Sequence, residues 1–457
     1  MAEGDAATTE SGAKRIGLRW LALVGLMLAW GVLTMPVLVQ EVWRGEAFRL
    51  ADGRFVSSVQ GDQEQYHRMV IEQFSAELPR PDLRNYASAT GPGYHLMMAV
   101  VDRLTGNRAI LQLLNALIGA GLVLALWWAL SARAGLVSGA LLALPLACSG
   151  YVVSGSVWMT TDNFSWLCVV VVLGLVVMRD FTARRGVLAG AVCAAGVFVR
   201  QVHVWPLAAI GFAGLLRSPL ARLLPGVFRS EHQEPRSWGM LVWGCVGALL
   251  PLLMLVWLVW LWGGLTPPMY RDLHDAGWNP ATLAFALACC GLFGWALVPA
   301  VWEQVKRLHL GDWALWVCAA GGALSGLVVR TDWAPKVRDF GWIWRVPVKM
   351  LPDAAGRSPV VVLGAAFGAV VLLLLWRRAR DAGRGPDGLL LLLAMLGWVC
   401  AQAMNTMAWQ RYFEPMVLIG LAMLCALGGR LRGKWAVGGV VALGVCQAAL
   451  TAVTLVR

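Results

Sequence analysis

Five carboxylates, Asp62, Glu64, Glu72, Glu77 and Asp82, share residues 61–95 with Tyr66, His67 and His95. The chain as a whole is 59% apolar, so composition alone sets this stretch apart. Carboxylates and imidazoles partly withdrawn from water can take or give a proton near neutral pH. Asp62 heads the candidates. It follows Gly61 and opens a helix-like run of Gln, Glu and Tyr. On a regular helix Asp62 and Tyr66 share one face, while Glu64 and His67, three apart, share another. Asp62 could accept the proton of an attacking hydroxyl; the alternative is a solvated acid that caps the helix. In the first case Glu64, Tyr66 and His67 would meet the acceptor that carries the hydroxyl.

A second acid, Asp162, stands in Thr160-Thr161-Asp162-Asn163. These residue types suit a helix cap, and a cap can also be a ligand to an acceptor. Arg200, followed by Gln201, sits where two short apolar runs meet. Arg411, followed by Tyr412, sits at the mouth of another run. A guanidinium at a membrane surface offers a planar fork of donors that suits a phosphate diester. For Arg411 the alternative is a side chain that snorkels to the headgroups. His67, His95, His203 and His274 could surround a divalent metal with Asp62, but no pair has helical i, i+4 spacing and no HExxH occurs. No metal or other cofactor is therefore expected. The sequence holds no P-loop, no dinucleotide fingerprint and no Gly-x-Ser-x-Gly elbow, and no soluble stretch large enough for a nucleotide sugar. Any transferred group must be delivered within the membrane.

The scaffold that must position these residues is read from hydropathy and charge. A mean hydropathy of +0.65 with 14% charged residues is that of a membrane protein. Apolar runs of ~20 residues recur along the chain and are continuous rather than alternating, which predicts an all-α polytopic fold without strands. The net charge of +12 does not point to nucleic acid, because Lys and Arg cluster in short loops between the runs. The ten Cys lie in apolar runs without CxxC spacing and read as buried apolar residues. Residues 1–16 read as a disordered cytoplasmic tail, and 17–457 as a single transmembrane domain. Spans are expected over 17–40, 109–130, 135–153, 163–178, 186–199, 204–216, 239–262, 281–302, 313–329, 359–376, 388–407, 412–429 and 435–456. That makes about thirteen crossings, with the N-terminus inside and the C-terminus outside. Residues 93–104 are too short to span and read as an interfacial helix within a large first extracytoplasmic loop, 41–108. A second large outer loop, 330–358, mixes charge with Trp333, Trp342 and Trp344, as an aromatic belt or a lid over a substrate would. The Trp and Arg content and short loops suggest a bacterial inner membrane, with the candidate site on its extracytoplasmic side.

The order of the short motifs resembles a known family. Gly61-Asp62, Tyr66-His67 and Thr90-Gly91-Pro92-Gly93-Tyr94 follow a first span; Arg108 with Asn115, Thr161-Asp162, Arg200-Gln201 with Val204-Trp205, and Arg411-Tyr412 with Pro415 follow in order. The pattern resembles the GT-C fold of polytopic glycosyltransferases that use polyprenyl-phosphate sugars. It is most similar to the eukaryotic dolichyl-phosphate-glucose α-1,2-glucosyltransferases. The resemblance implies that Asp62 is the general base, that Arg411 and Arg200 lie near the lipid phosphate with Gln201 and Tyr412, and that the acceptor is a lipid-linked glycan or a protein. It departs where the family has adjacent Asp-Glu and this chain has Gln63 between Asp62 and Glu64. Aligning on Gly61 makes Asp62 the base; aligning on His67 favours Glu64. A lipid or solute transporter or flippase is the other reading, and it would need ionisable residues near the middle of spans and internal repeats. The charged residues cluster instead at span ends, and no repeat is visible.

Overall fold

The computed structural model describes residues 4–44, 58–228, 237–271, 277–330, 351, 354–405 and 409–455. Among the described residues every named element is helical, and the bridge between Ala354 and Arg357 is isolated. Eight helices are long and apolar enough to cross a bilayer: Trp20–Trp43, Arg108–Ala134, Trp238–Trp262, Thr282–Lys306, Pro359–Asp381, Gly385–Ala403, Gln410–Leu427 and Lys434–Leu455. Asp162–Val176, Gln201–Leu216 and Trp313–Val328 are shorter apolar helices. The chain is an integral, multi-pass membrane protein. Helices occupy every stretch where hydropathy predicts a crossing, and these eight meet the length and hydropathy of a span on their own. The first helix starts at Gly4, inside the segment read from sequence as a disordered tail. Most of the expected outer loop 330–358 lies outside the described residues.

The span expected over 135–153 takes the form of a bent pair. Leu136–Ala147 and Gly150–Val157 meet at 73°. Pro145 removes one backbone donor from the first half. The polar groups at the break find partners on other helices: Thr451 Oγ1 donates to the Cys148 carbonyl at 2.7 Å, and Ser149 Oγ donates to Glu414 at 2.6 Å. A broken helix is tolerated in lipid only when such groups are satisfied internally.

Gln410–Leu427 is the most enclosed helix, with 94% of its apolar window buried. Its sequence is apolar all round after Glu414, as a central helix requires. Phe413 packs edge-on against Phe285 and Trp398, with ring centroids 4.9 and 5.4 Å away. Arg411 and Tyr412 therefore project from the first turn of an element fixed on all sides. Elsewhere small residues let helices touch. A methyl on Gly190 would overlap the Gly247 backbone, so Ala183–Val199 and Trp238–Trp262 meet main chain to main chain.

The described residues of the stretch read as the first outer loop, 58–108, form a run of short helices packed on the bundle. After the first helix it resumes as Ser58–Asp62, a π-helical turn Gln63–His67 and the helix Arg68–Glu77. The short helix expected after the glycines is Gly93–Thr105, which buries Tyr94, His95, Met98 and Ala99. Gly91 rests on the Phe198 carbonyl so closely that a Cβ would overlap it. That contact fixes the loop against the last turn of Ala183–Val199, next to Arg200.

Candidate active site

The π-helical turn decides which loop residues face the bundle. Its i→i+5 pattern widens the turn, so positions four and five beyond Asp62 both flank it. Asp62 pairs with Arg411, Tyr66 meets Tyr270 edge-on at 5.5 Å, and His67 feels Arg200 and Arg411. Glu64 is turned away. It pairs with Arg108 at 2.8 Å and with Arg68 at 3.2 Å, and Arg108 also holds Glu41 at 3.1 Å. This corrects the regular-helix expectation that left His67 on the face of Glu64. Sequence propensity carries little signal for a π turn, and one widened turn reassigns both residues. Gln63 points into the body, where it accepts from the Met159 amide at 2.6 Å.

Asp62, Arg411, Tyr412, Arg200 and Asp162 form one continuous chain of contacts. The Asp62 carboxylate accepts from Arg411 Nη1, and Arg411 Nη2 donates to the Tyr412 hydroxyl at 3.2 Å. The Arg411 guanidinium lies over the Trp409 and Tyr412 rings at 4.1 and 5.1 Å. Arg200 lies over the Tyr412 ring at 5.2 Å and pairs with Asp162. Asp162 is the first residue of its helix but makes no side-chain cap; its carboxylate goes to Arg200 instead. Two carboxylates thus balance two guanidiniums, the arrangement that makes partial burial of charge tolerable. Side-chain exposures between 10% and 22% leave all four reachable. Arg411 Nε is buried without a hydrogen-bond partner, a free donor in the middle of the site. A small pocket beside these groups is lined by Tyr151, Asp162, Trp166 and Arg411, among others.

The remaining expected residues are close by, in supporting positions. His67 Nδ1 and His95 Nε2 are 2.9 Å apart, and the rings stack. Burial, then the charges of Arg200 and Arg411, pull His67 down to about 3. Burial and then His67 hold His95 well below the usual imidazole range. Both rings are therefore neutral at neutral pH. Gln201 uses its amide nitrogen on two backbone carbonyls, Ala89 and Leu265, at 2.8 Å each. It ties the first loop to a later one. Burial, followed by the contact with Tyr66, pushes the Tyr270 phenol upward.

Residues without an assigned role in the sequence reading hold this arrangement. Asn115 accepts from Tyr94 at 2.9 Å and donates to the Gly155, Ser156 and Trp158 carbonyls at 3.0–3.1 Å. It thereby anchors the chain just before Asp162. Glu414, one turn beyond Arg411, accepts from Ser149 and Gln410. Their signal in the sequence is a polar residue inside an apolar run, which in lipid must find a partner. His274 lies outside the described residues, and His203 stacks edge-on against Trp166 at 4.7 Å. Among the described residues no three His, Cys, Asp or Glu side chains are grouped to hold a metal ion.

No protein-family model matches the sequence, and no curated protein matches it. Solved structures do. The oligosaccharyltransferase of Archaeoglobus fulgidus in its apo form superimposes with a TM-score of 0.51 at 14% identity, covering 95% of this chain. The chain has the GT-C fold. It corresponds to 56% of the length of that enzyme. Two structures of ArnT from Cupriavidus metallidurans also match. The apo state gives a TM-score of 0.39 at 14% identity, covering 90% of this chain and 78% of ArnT. The structure bound to undecaprenyl phosphate gives 0.40 at 12%, covering 90% and 77%. The likeness covers nearly the whole chain.

Proposed function

We propose that the protein transfers a sugar from a polyprenyl-phosphate donor to a hydroxyl acceptor at the Asp62–Asp162 site. The observation that carries this reading is the convergence of Arg200 and Arg411 on the ring of one Tyr412, each paired with an aspartate. In the reaction the acceptor oxygen attacks the anomeric carbon, and the bond from that carbon to the phosphate oxygen breaks. The acceptor proton passes to the Asp62 carboxylate. The leaving polyprenyl phosphate gains a negative charge as this happens, and the forks of Arg411 and Arg200 are suited to meet it. Tyr412 gives both guanidiniums one ring to rest against. Asp162, Tyr66 and His67 border the acceptor side, while Glu64 supports that side through Arg108. Because Asp62 lies against Arg411 and Glu64 is engaged by two arginines, the register anchored on Gly61 is preferred to that on His67.

The scaffold in this reading crosses the membrane about thirteen times, with the first loop on the extracytoplasmic side of a bacterial inner membrane. The acceptor is a lipid-linked glycan or a protein, and the nearest functional likeness is to the dolichyl-phosphate-glucose α-1,2-glucosyltransferases. The test is transfer by purified protein offered a panel of polyprenyl-phosphate sugars, with Asp62→Asn beside the wild type. Transfer that depends on Asp62 supports the reading. Transfer that is indifferent to Asp62→Asn removes the base assigned here.

A further inference from the structure

A second arginine cluster lies at the far end of Arg108–Ala134. That helix has 27 residues, or about 40 Å at 1.5 Å per residue, between the Glu64 end and Arg133. Arg133 donates to Asp180 at 2.9 Å, and Arg384 approaches the same Asp180 oxygen at 3.3 Å. Arg185 donates to the Asp180 carbonyl at 2.5 Å. Arg384 and Arg217 reach Asp387 at 3.3 and 3.7 Å. Arg179 has no carboxylate; its guanidinium lies over the Trp128 ring at 4.3 Å. Five guanidiniums from four separate segments thus share two carboxylates, an excess of three positive charges among the described residues.

Basic loop residues on this side are expected singly, each reaching toward solvent or headgroups. Arg307, 68% exposed on its own carboxylate Asp381, is of that kind. The cluster is different, because its members converge and repel. Burial, then Arg185 and Arg133, hold the Arg179 guanidinium below its usual range. The Nε atoms of both Arg133 and Arg179 are buried without a partner. Convergent cations with unused buried donors fit an anion with several acceptor oxygens.

We propose that Arg133, Arg179, Arg185 and Arg384 bind a phosphate group at the end of the bundle opposite the candidate active site. The phosphate belongs either to an anionic lipid headgroup or to a soluble phosphate. The probes are phosphatidylglycerol, phosphatidylcholine and inorganic phosphate, each added to the purified full chain in detergent. Retention is read by native mass spectrometry and by the shift in thermal midpoint. Phosphatidylglycerol should be retained over phosphatidylcholine, and Arg179→Gln should weaken its binding about tenfold or more. Arg184→Gln changes an exposed neighbour on the same segment and should leave binding unchanged. If Arg179→Gln does not fold, Arg179→Lys, which keeps the charge but loses the fork, should still weaken binding measurably. Inorganic phosphate that stabilises as well as the lipid would support the site and assign it to a soluble ligand. Equal losses in Arg179→Gln and Arg184→Gln would reduce the effect to diffuse charge and overturn the proposal. So would failure of all the phosphate probes to bind.

Discussion

The two ends of Arg108–Ala134 both carry arginine clusters, but they treat charge in opposite ways. At the first-loop end, two guanidiniums meet two carboxylates around one tyrosine, and the neighbouring histidines are neutral. At the other end five guanidiniums share two carboxylates. A balanced cluster can hold its shape with nothing bound and can exchange partners when a charged substrate enters. A surplus cluster lacks part of its own compensation. The difference separates a site suited to a charge that comes and goes from one suited to an anion that stays.

The largest way to break the balanced end is to remove its first acid. Asp62→Asn keeps volume and one acceptor oxygen but cannot take a proton at neutral pH. As a general base Asp62 should be worth ~10²–10⁴-fold in turnover. Glu64→Gln should cost less, because Glu64 acts through Arg108 and Arg68 rather than beside Arg411. Steady-state rates of the two variants settle the order. Loss of transfer in Glu64→Gln with near-normal Asp62→Asn would show that the base is Glu64. Next in size is Arg411→Ala, which leaves Asp62 without its cation and the proposed donor phosphate without a charge-assisted partner. The expected loss is ~1.5–3 kcal/mol, about 10- to 150-fold in donor use at limiting concentration. Unchanged donor use would make Arg411 a snorkelling residue.

Much of this end was legible in the sequence. Hydropathy placed the helices, and Asp62, Asp162, Arg200 and Arg411 were picked out from type and location, and Tyr412 from the resemblance, before being found together. What could not be read was how they pair. Asp162 suits a helix cap by composition, and only the tertiary fold shows that its carboxylate goes to Arg200. Glu64 and His67, expected on one face, are parted by one π turn. The bend at Cys148–Ser149 depends on Thr451 and Glu414, which are distant in sequence. Local patterns specify elements well, but partners across hundreds of residues are set by packing.

The balance also depends on backbone contact, and glycine substitutions can sharpen that point. A Cβ at Gly91 would overlap the Phe198 carbonyl, which is main chain and cannot rotate aside. Gly91→Ala should therefore destabilise by ~1–3 kcal/mol, as overpacking does, and displace Arg200 with the end of its helix. At Gly93 the nearest atom is the Phe198 ring, 2.7 Å away, and a ring can turn. Gly93→Ala should be milder. Thermal midpoints in detergent measure the order, and equal effects would remove the backbone contact as the cause.

Acid offers the smallest and most reversible change, because it would turn the balanced end toward surplus. His67 and His95 are buried among Tyr86, Tyr94 and Phe74, and Arg200 and Arg411 act on His67. In the unfolded chain both imidazoles take up protons as pH falls through ~6.5. In the folded protein His67 resists until about 3, and His95 is also held well down. Between those limits the unfolded state binds more protons, so folding stability must fall as pH falls. The thermal midpoint should drop between pH 7.5 and pH 5, and a His67→Gln, His95→Gln double variant should drop less. Gln is neutral at both pH values and can keep a hydrogen bond between the two positions. A double variant that loses as much stability between pH 7.5 and pH 5 as the wild type would place the sensitivity outside this histidine pair. A flattened response would show that the first-loop end is kept balanced partly by excluding two further positive charges.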